Sequence, residues 1–264
     1  IGIGDLFIAG IVPGILMALG FLVAIAVLGL KQQYPPGRWY TRAEILHHLL
    51  RGLPAGLVPL VIVGGILAGV ATPTESAALA STAAFLVGKF VYRDLDVDRL
   101  PTIILDTVRT SAMVLFLIGT ANVFGWIIVF EQVPQTMAEW LTGLTEDPFM
   151  FLLLVNLLML IIGMVIDGIA ALILVVPILL PVAQSVYDIG PYHFGVLVCI
   201  NVVLGLLTPP VGAGLFVASA AAKVPPGRIF ITLLPFLLTT LAVLVLIAWQ
   251  PGLVTFLLDA PARR

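Results

Sequence analysis

Residues 149–182 read FMFLLLVNLLMLIIGMVIDGIAALILVVPILLPV, an apolar stretch of 34 residues with one carboxylate, Asp167, near its middle. As one helix it would be roughly 51 Å long at about 1.5 Å per residue. The hydrocarbon core is about 30 Å thick, and two full spans need about 40 residues plus a turn. The stretch is too long for one span and too short for two. It therefore predicts a re-entrant hairpin of two half-membrane helices with Gly163–Gly168 at the tip. Non-helical backbone at membrane depth persists only inside protein or against a water-filled cavity. An ionisable group there marks a transport pathway by default.

Composition agrees. The chain has 264 residues, of which 61% are hydrophobic and 10% charged. That is an all-α polytopic membrane protein, not a soluble domain. The net charge of −2 and the lack of basic runs exclude nucleic acid as a partner. Cys199, in an apolar segment, is the one cysteine. It permits no intrachain disulfide and is expected to be a small buried side chain. The chain begins with Ile1 and runs almost at once into an apolar segment, which suggests a fragment.

Apolar segments are expected at about 6–30, 53–70, 72–91, 108–129, 193–222 and 229–249, beside the hairpin. They make about six full or broken transmembrane helices. The polar loop with Lys31, Arg38, Arg42 and Arg51 against Glu44 is placed in the cytoplasm. The 131–148 loop, with Glu131, Glu139, Glu146 and Asp147 and no Lys or Arg, then falls outside. Lys223 and Arg228 return to the cytoplasm if residues 149–182 enter and leave on one side.

The 193–222 segment contains Gly205-Leu206-Leu207-Thr208-Pro209-Pro210-Val211-Gly212-Ala213-Gly214. Two prolines remove two backbone donors and push the preceding residue out of the α region. This helix is expected to break near mid-membrane, with Thr208 capping the second half and Pro209 at its first position. Half-helix N-termini suit an anionic substrate group, and unwound carbonyls suit sodium, a hard cation that wants oxygen. The candidate ion ligands are Gly163, Asp167, Gly205, Thr208 and Val211, mostly through backbone oxygens. The candidate substrate contacts are Asp167, Gly168, Thr208, Pro209 and Gly212. Asp167 either contacts ion or substrate or only caps the second arm.

Other motifs have plainer readings. Thr72-Pro73-Thr74-Glu75 is a capping box. Asn122 is read as bonding a neighbouring helix. His47 and His48 have no third ligand at metal spacing. Trp39, Tyr40, Trp126, Trp140 and Trp249 read as an aromatic belt. No phosphate-binding loop is present, so no ATP is implied. One carboxylate in an apolar segment falls short of the pair an intramembrane aspartyl protease needs. A passive channel wants rings of carbonyls or charges around a pore.

Gly163–Ala171, Pro177-Ile178-Leu179-Leu180-Pro181, His193-Phe194-Gly195 and Gly205–Gly212 closely resemble the large membrane subunit (DctM family) of tripartite ATP-independent periplasmic (TRAP) transporters. Phe7–Gly14 and Gly64-Gly65 with Thr72–Ala78 are similar to the same family in the same order. The resemblance covers essentially the whole chain. It implies an inner-membrane permease of a sodium-coupled importer of organic anions such as C4-dicarboxylates or sugar acids. It implies no enzymatic activity and no cofactor beyond sodium as coupling ion. It implies partners: a small membrane subunit (DctQ-like) and a periplasmic substrate-binding protein (DctP-like). It also implies an elevator-type transporter built from inverted repeats, of which this chain would hold the second half. The parts would be scaffold (1–107), transport domain (108–222) and a C-terminal transmembrane helix (223–264). An alternative is a sodium/anion symporter of similar architecture without a binding protein.

Overall fold

The computed structural model describes residues 2–32, 37–38 and 40–258. Every regular element among them is a helix. Five helices are long and apolar enough to cross a membrane, or six if one bent pair counts as a span. The chain is an all-α polytopic membrane protein.

In chain order, α1 (Ile3–Ala9) and α2 (Ile11–Gln32) form the first apolar length. Next come α3 (Arg42–Leu67) and α4 (Pro73–Leu86), then a π-helical turn at Val87–Tyr92. A short 3-10 turn, Val97–Arg99, leads into α5 (Leu100–Phe130). There follow α6 (Val133–Leu144), α7 (Pro148–Gly163), α8 (Gly168–Ser185) and α9 (Pro191–Leu206). The chain closes with α10 (Ala213–Ala222), α11 (Pro226–Trp249) and α12 (Gly252–Thr255).

The described residues form two compact units, one of residues 2–7, 37–38 and 40–114, the other of residues 8–32 and 115–258. In the first, α3 and α4 pack as a helical hairpin that turns at Gly69, whose φ of +66° suits glycine. Helix α3 starts about ten residues before the apolar segment read from sequence. Thr41 and Glu44 form a capping box that draws the polar residues into its first turns. The expected second box is present: Glu75 receives both the N–H and the hydroxyl of Thr72 at 2.8 Å. The rings of His47 and His48 meet edge-on, 5.7 Å apart. No group of three or more metal-ligating side chains occurs among the described residues. Trp39 lies outside them.

The second unit is organised around α7, α8 and α9, with Phe151, Leu152, Met159, Leu179, Phe194 and Leu197 in its core. The hairpin forms. Tyr187, just past α8, stacks on Phe151 near the start of α7, with centroids 4.3 Å apart. Its hydroxyl donates to the Thr145 carbonyl. Burial pushes the Tyr187 phenol up from its ordinary value. The chain therefore returns to the end from which it came. The arms of 16 and 18 residues are longer than half-membrane helices: they rise roughly 24 and 27 Å. Pro148, the first residue of α7 behind its Asp147 cap, lengthens one arm and residues 183–185 extend the other, which the apolar run alone did not include. Both prolines of α8, Pro177 and Pro181, stay inside the helix.

Three further expectations change. Residues 131–148 are mostly helix rather than loop: α6 meets α7 at a 116° bend and lays Leu141 into the core beneath the hairpin arms. The acidic residues sit at its ends and on its exposed side, which is why composition read as a loop. Cys199 is exposed, not buried. It faces an apolar cleft of about 610 Å³ between α2, α9 and α11, with Phe21 and Phe236 in edge contact beside it. Asn122 bonds the Ile118 carbonyl one turn back in α5, so it is satisfied within its own helix.

Candidate ion and substrate site at the hairpin tip

The two breaks meet. Gly163 ends α7 and Gly205 lies in the last turn of α9, and both are buried. A Cβ on Gly205 would lie 2.6 Å from the Gly163 Cα, and one on Gly163 would lie 2.9 Å from the Gly205 Cα. Only glycine at both places lets the backbones touch. The next residue of the tip, Met164, accepts the Val211 and Gly212 N–H groups on its carbonyl at 3.1 and 3.2 Å. The hairpin tip is thereby stitched to the break.

The prolines explain why oxygen is available there. In an α-helix the carbonyls of Gly205 and Leu206 would take the N–H groups of residues 209 and 210. Those residues are Pro209 and Pro210, joined by a cis peptide, and have no N–H. The Gly205 carbonyl takes the Thr208 N–H at 3.0 Å instead. Gly212 has φ +46°, and a Cβ there would lie 2.9 Å from the Thr208 carbonyl oxygen and 3.3 Å from that of Leu206. Two carbonyls thus converge on a space held open by a glycine. This cradle fits a hard cation.

The second half-helix begins later than expected. Helix α10 starts at Ala213 with Gly212 before it, and Gly212 offers no side-chain cap. Thr208 does not cap it: its hydroxyl donates back to the Leu204 carbonyl at 2.7 Å. Pro209 and Pro210 lack the N–H groups that would continue α9, and helical geometry resumes only after Gly212. Asp167 does cap α8, accepting the Ile169 N–H at 3.1 Å on one oxygen. The residue is exposed, so its other oxygen remains open. Gly168 packs on Val202 and Leu206 of α9, which seats the start of α8 beside the break. Pro209 is half-buried and Val211 exposed.

The sequence of the DctM component of tripartite ATP-independent periplasmic transporters, taken as a family model, matches residues 1–253. The chain belongs to the DctM family. It is 36% identical over 250 residues to the C4-dicarboxylate TRAP transporter large permease protein DctM of Pseudomonas aeruginosa, covering 95% of this chain and 58% of the relative. It is 38% identical over 249 residues to the sialic acid TRAP transporter large permease protein SiaM of Vibrio cholerae, covering 94% and 58%. It is 38% identical over 256 residues to the isethionate TRAP transporter permease protein DctMQ of Oleidesulfovibrio alaskensis, covering 96% and 40%. The chain spans less than two thirds of the length of these relatives. All three relatives are named as permease proteins of TRAP transporters.

For this DctM chain, two features of the site escaped the sequence reading. One is the Leu206 carbonyl. The signal was present: a proline four residues on removes a carbonyl's helical partner. The other is a buried pair of amides, Asn156 and Asn201, which hydrogen-bond between α7 and α9. Each lies at helical spacing from a tip glycine, seven residues before Gly163 and four before Gly205.

Proposed function

We propose that this chain is the ion- and substrate-binding part of a sodium-coupled permease that imports organic carboxylates. The observation that carries the reading is the meeting of hairpin tip and helix break, where Met164 joins Val211 and Gly212 and carbonyls converge near Gly212. Sodium would be held by oxygens from Gly163, Asp167, Gly205, Thr208 and Val211. The carboxylate substrate would lie against Asp167, Gly168, Thr208, Pro209 and Gly212, near the positive ends of α8 and α10.

Electrostatics link the two ligands. A carboxylate beside Asp167 at about 4 Å is repelled by about 1 kcal/mol in water and about 4 kcal/mol at an effective dielectric of 20. A cation between them turns that repulsion into attraction, so substrate binds well only after sodium. The substrates named for the relatives, C4-dicarboxylate, sialic acid and isethionate, are all organic anions. The whole transporter would add a DctQ-like small membrane subunit and a DctP-like periplasmic binding protein that delivers substrate. Residues 108–222 would move as the transport part against a scaffold.

The test uses single cysteines at Ile166 and Val211, both exposed, in a Cys199→Ala background. The native thiol must be removed because it is exposed too. The chain is assembled with the portion of its relatives that it does not span. Sodium, but not potassium, should slow labelling at both sites. Labelling indifferent to sodium in the assembled protein would overturn the ion site.

A further inference from the structure

The glycine contact that joins tip and break has no side chain to fix its register. The two glycine backbones touch through dispersion, and the hydrogen bonds from Val211 and Gly212 to Met164 tie the tip to the chain beyond the break rather than α7 to α9 below it. One helical turn below Gly205 and two below Gly163, on the same seam, lie Asn201 and Asn156. They are 1% and 5% exposed. The Asn201 amide N–H₂ donates twice to residue 156, to its backbone carbonyl at 2.9 Å and its side-chain oxygen at 2.8 Å. The amide orientation is determined by chemistry: only a nitrogen donor can face the Asn156 backbone oxygen. The pair is under-satisfied. Nδ2 of Asn156 and Oδ1 of Asn201 are buried without partners. Such groups cost stability, and two apolar side chains of similar size would pack at least as well.

We infer that Asn201 is a positioning residue that, by donating to residue 156, locks α7 to α9 in register and so holds Gly163 against Gly205. A buried polar group that costs stability is best attested as a device for register. Its importance for transport rests on the site reading above; the register lock itself does not. Because both bonds are donated by Asn201 and one is accepted by backbone, the two residues are not equivalent. Removing the Asn156 side chain leaves the backbone bond. Removing that of Asn201 leaves none.

The lock is read without sodium, by electron–electron distance measurement between spin labels at Ile166 and Val211. The protein is again the Cys199→Ala chain assembled with the portion of its relatives that it does not span. Asn201→Ala should broaden the distance distribution at least twofold or shift it by about 1.5 Å, one residue of helix rise. Asn156→Ala should keep the parent distribution. The double variant Asn156→Leu/Asn201→Leu should broaden it like Asn201→Ala while its Tm stays within a few degrees of the parent. Equal effects of the two alanine variants would mean that only packing volume matters and would overturn the proposal. So would an unchanged distribution in Asn201→Ala, or a collapse of the double leucine variant's Tm. A parent that shows a sharp distance but no sodium protection would overturn the ion site and leave the lock standing.

Discussion

At the residue scale, Asp167 holds two separable roles. Its cap on α8 needs only an oxygen acceptor, whereas an ion contact needs the charge. Asn caps as well as Asp, so Asp167→Asn should change stability by no more than about 0.5 kcal/mol, whereas Asp167→Ala should cost about 1 kcal/mol. If the carboxylate binds sodium, Asp167→Asn should still raise the sodium concentration for half-protection of a cysteine at Val211 tenfold or more. An unchanged sodium response in a stable Asp167→Asn protein would confine Asp167 to capping. The cap was legible in sequence because an Asp before a glycine-started apolar run is a local signal. Which way its second oxygen faces is not local, since it depends on where α9 brings the break.

At the scale of elements, the break between α9 and α10 was visible from Pro209, Pro210 and three glycines. Its geometry was not. Thr208 reads as a cap by residue type, yet its hydroxyl turns back to Leu204 because α10 begins only at Ala213. Restoring both N–H groups should rejoin the carbonyls of Gly205 and Leu206 to the helix. Pro209→Ala/Pro210→Ala should extend α9, give slowly exchanging, protected amides at positions 209 and 210 where the parent has none, and abolish sodium protection at Ile166. Slow exchange with sodium protection intact would show that those carbonyls are not ligands. The hairpin teaches the same division. Its existence followed from length, but residue 148 and residues 183–185 made its arms longer than an apolar count implied. Whether the loop re-enters or crosses twice, both ends share a side, so the charge pattern alone fits either depth. Helix α6 was unreadable as helix because Glu131, Glu139, Glu146 and Asp147 gave a loop's composition, while Leu141 buries against the hairpin.

At the scale of the whole molecule, the chain leaves much apolar helix surface uncovered. Helix α3 buries no residue, and α5 buries Ile128 alone. Reconstituted by itself in liposomes, the chain should show no sodium-driven carboxylate uptake; supplying the portion of its relatives that it does not span should raise uptake above that background. Uptake by the chain alone would overturn the view that the site needs the other portion to be complete.

The sequence by itself determined the membrane class, the hairpin and its tip, the broken helix and the family. Each follows from local quantities: run length, hydropathy, proline and glycine positions, and motif order. Only the tertiary structure decided that Gly163 meets Gly205, that Met164 captures Val211 and Gly212, that Cys199 faces a cleft and that Asn201 reads Asn156. Those pairings join residues about 40 or more positions apart. They depend on which faces of α7, α8 and α9 pack together, and uniformly apolar helices carry no stripe from which to choose a face.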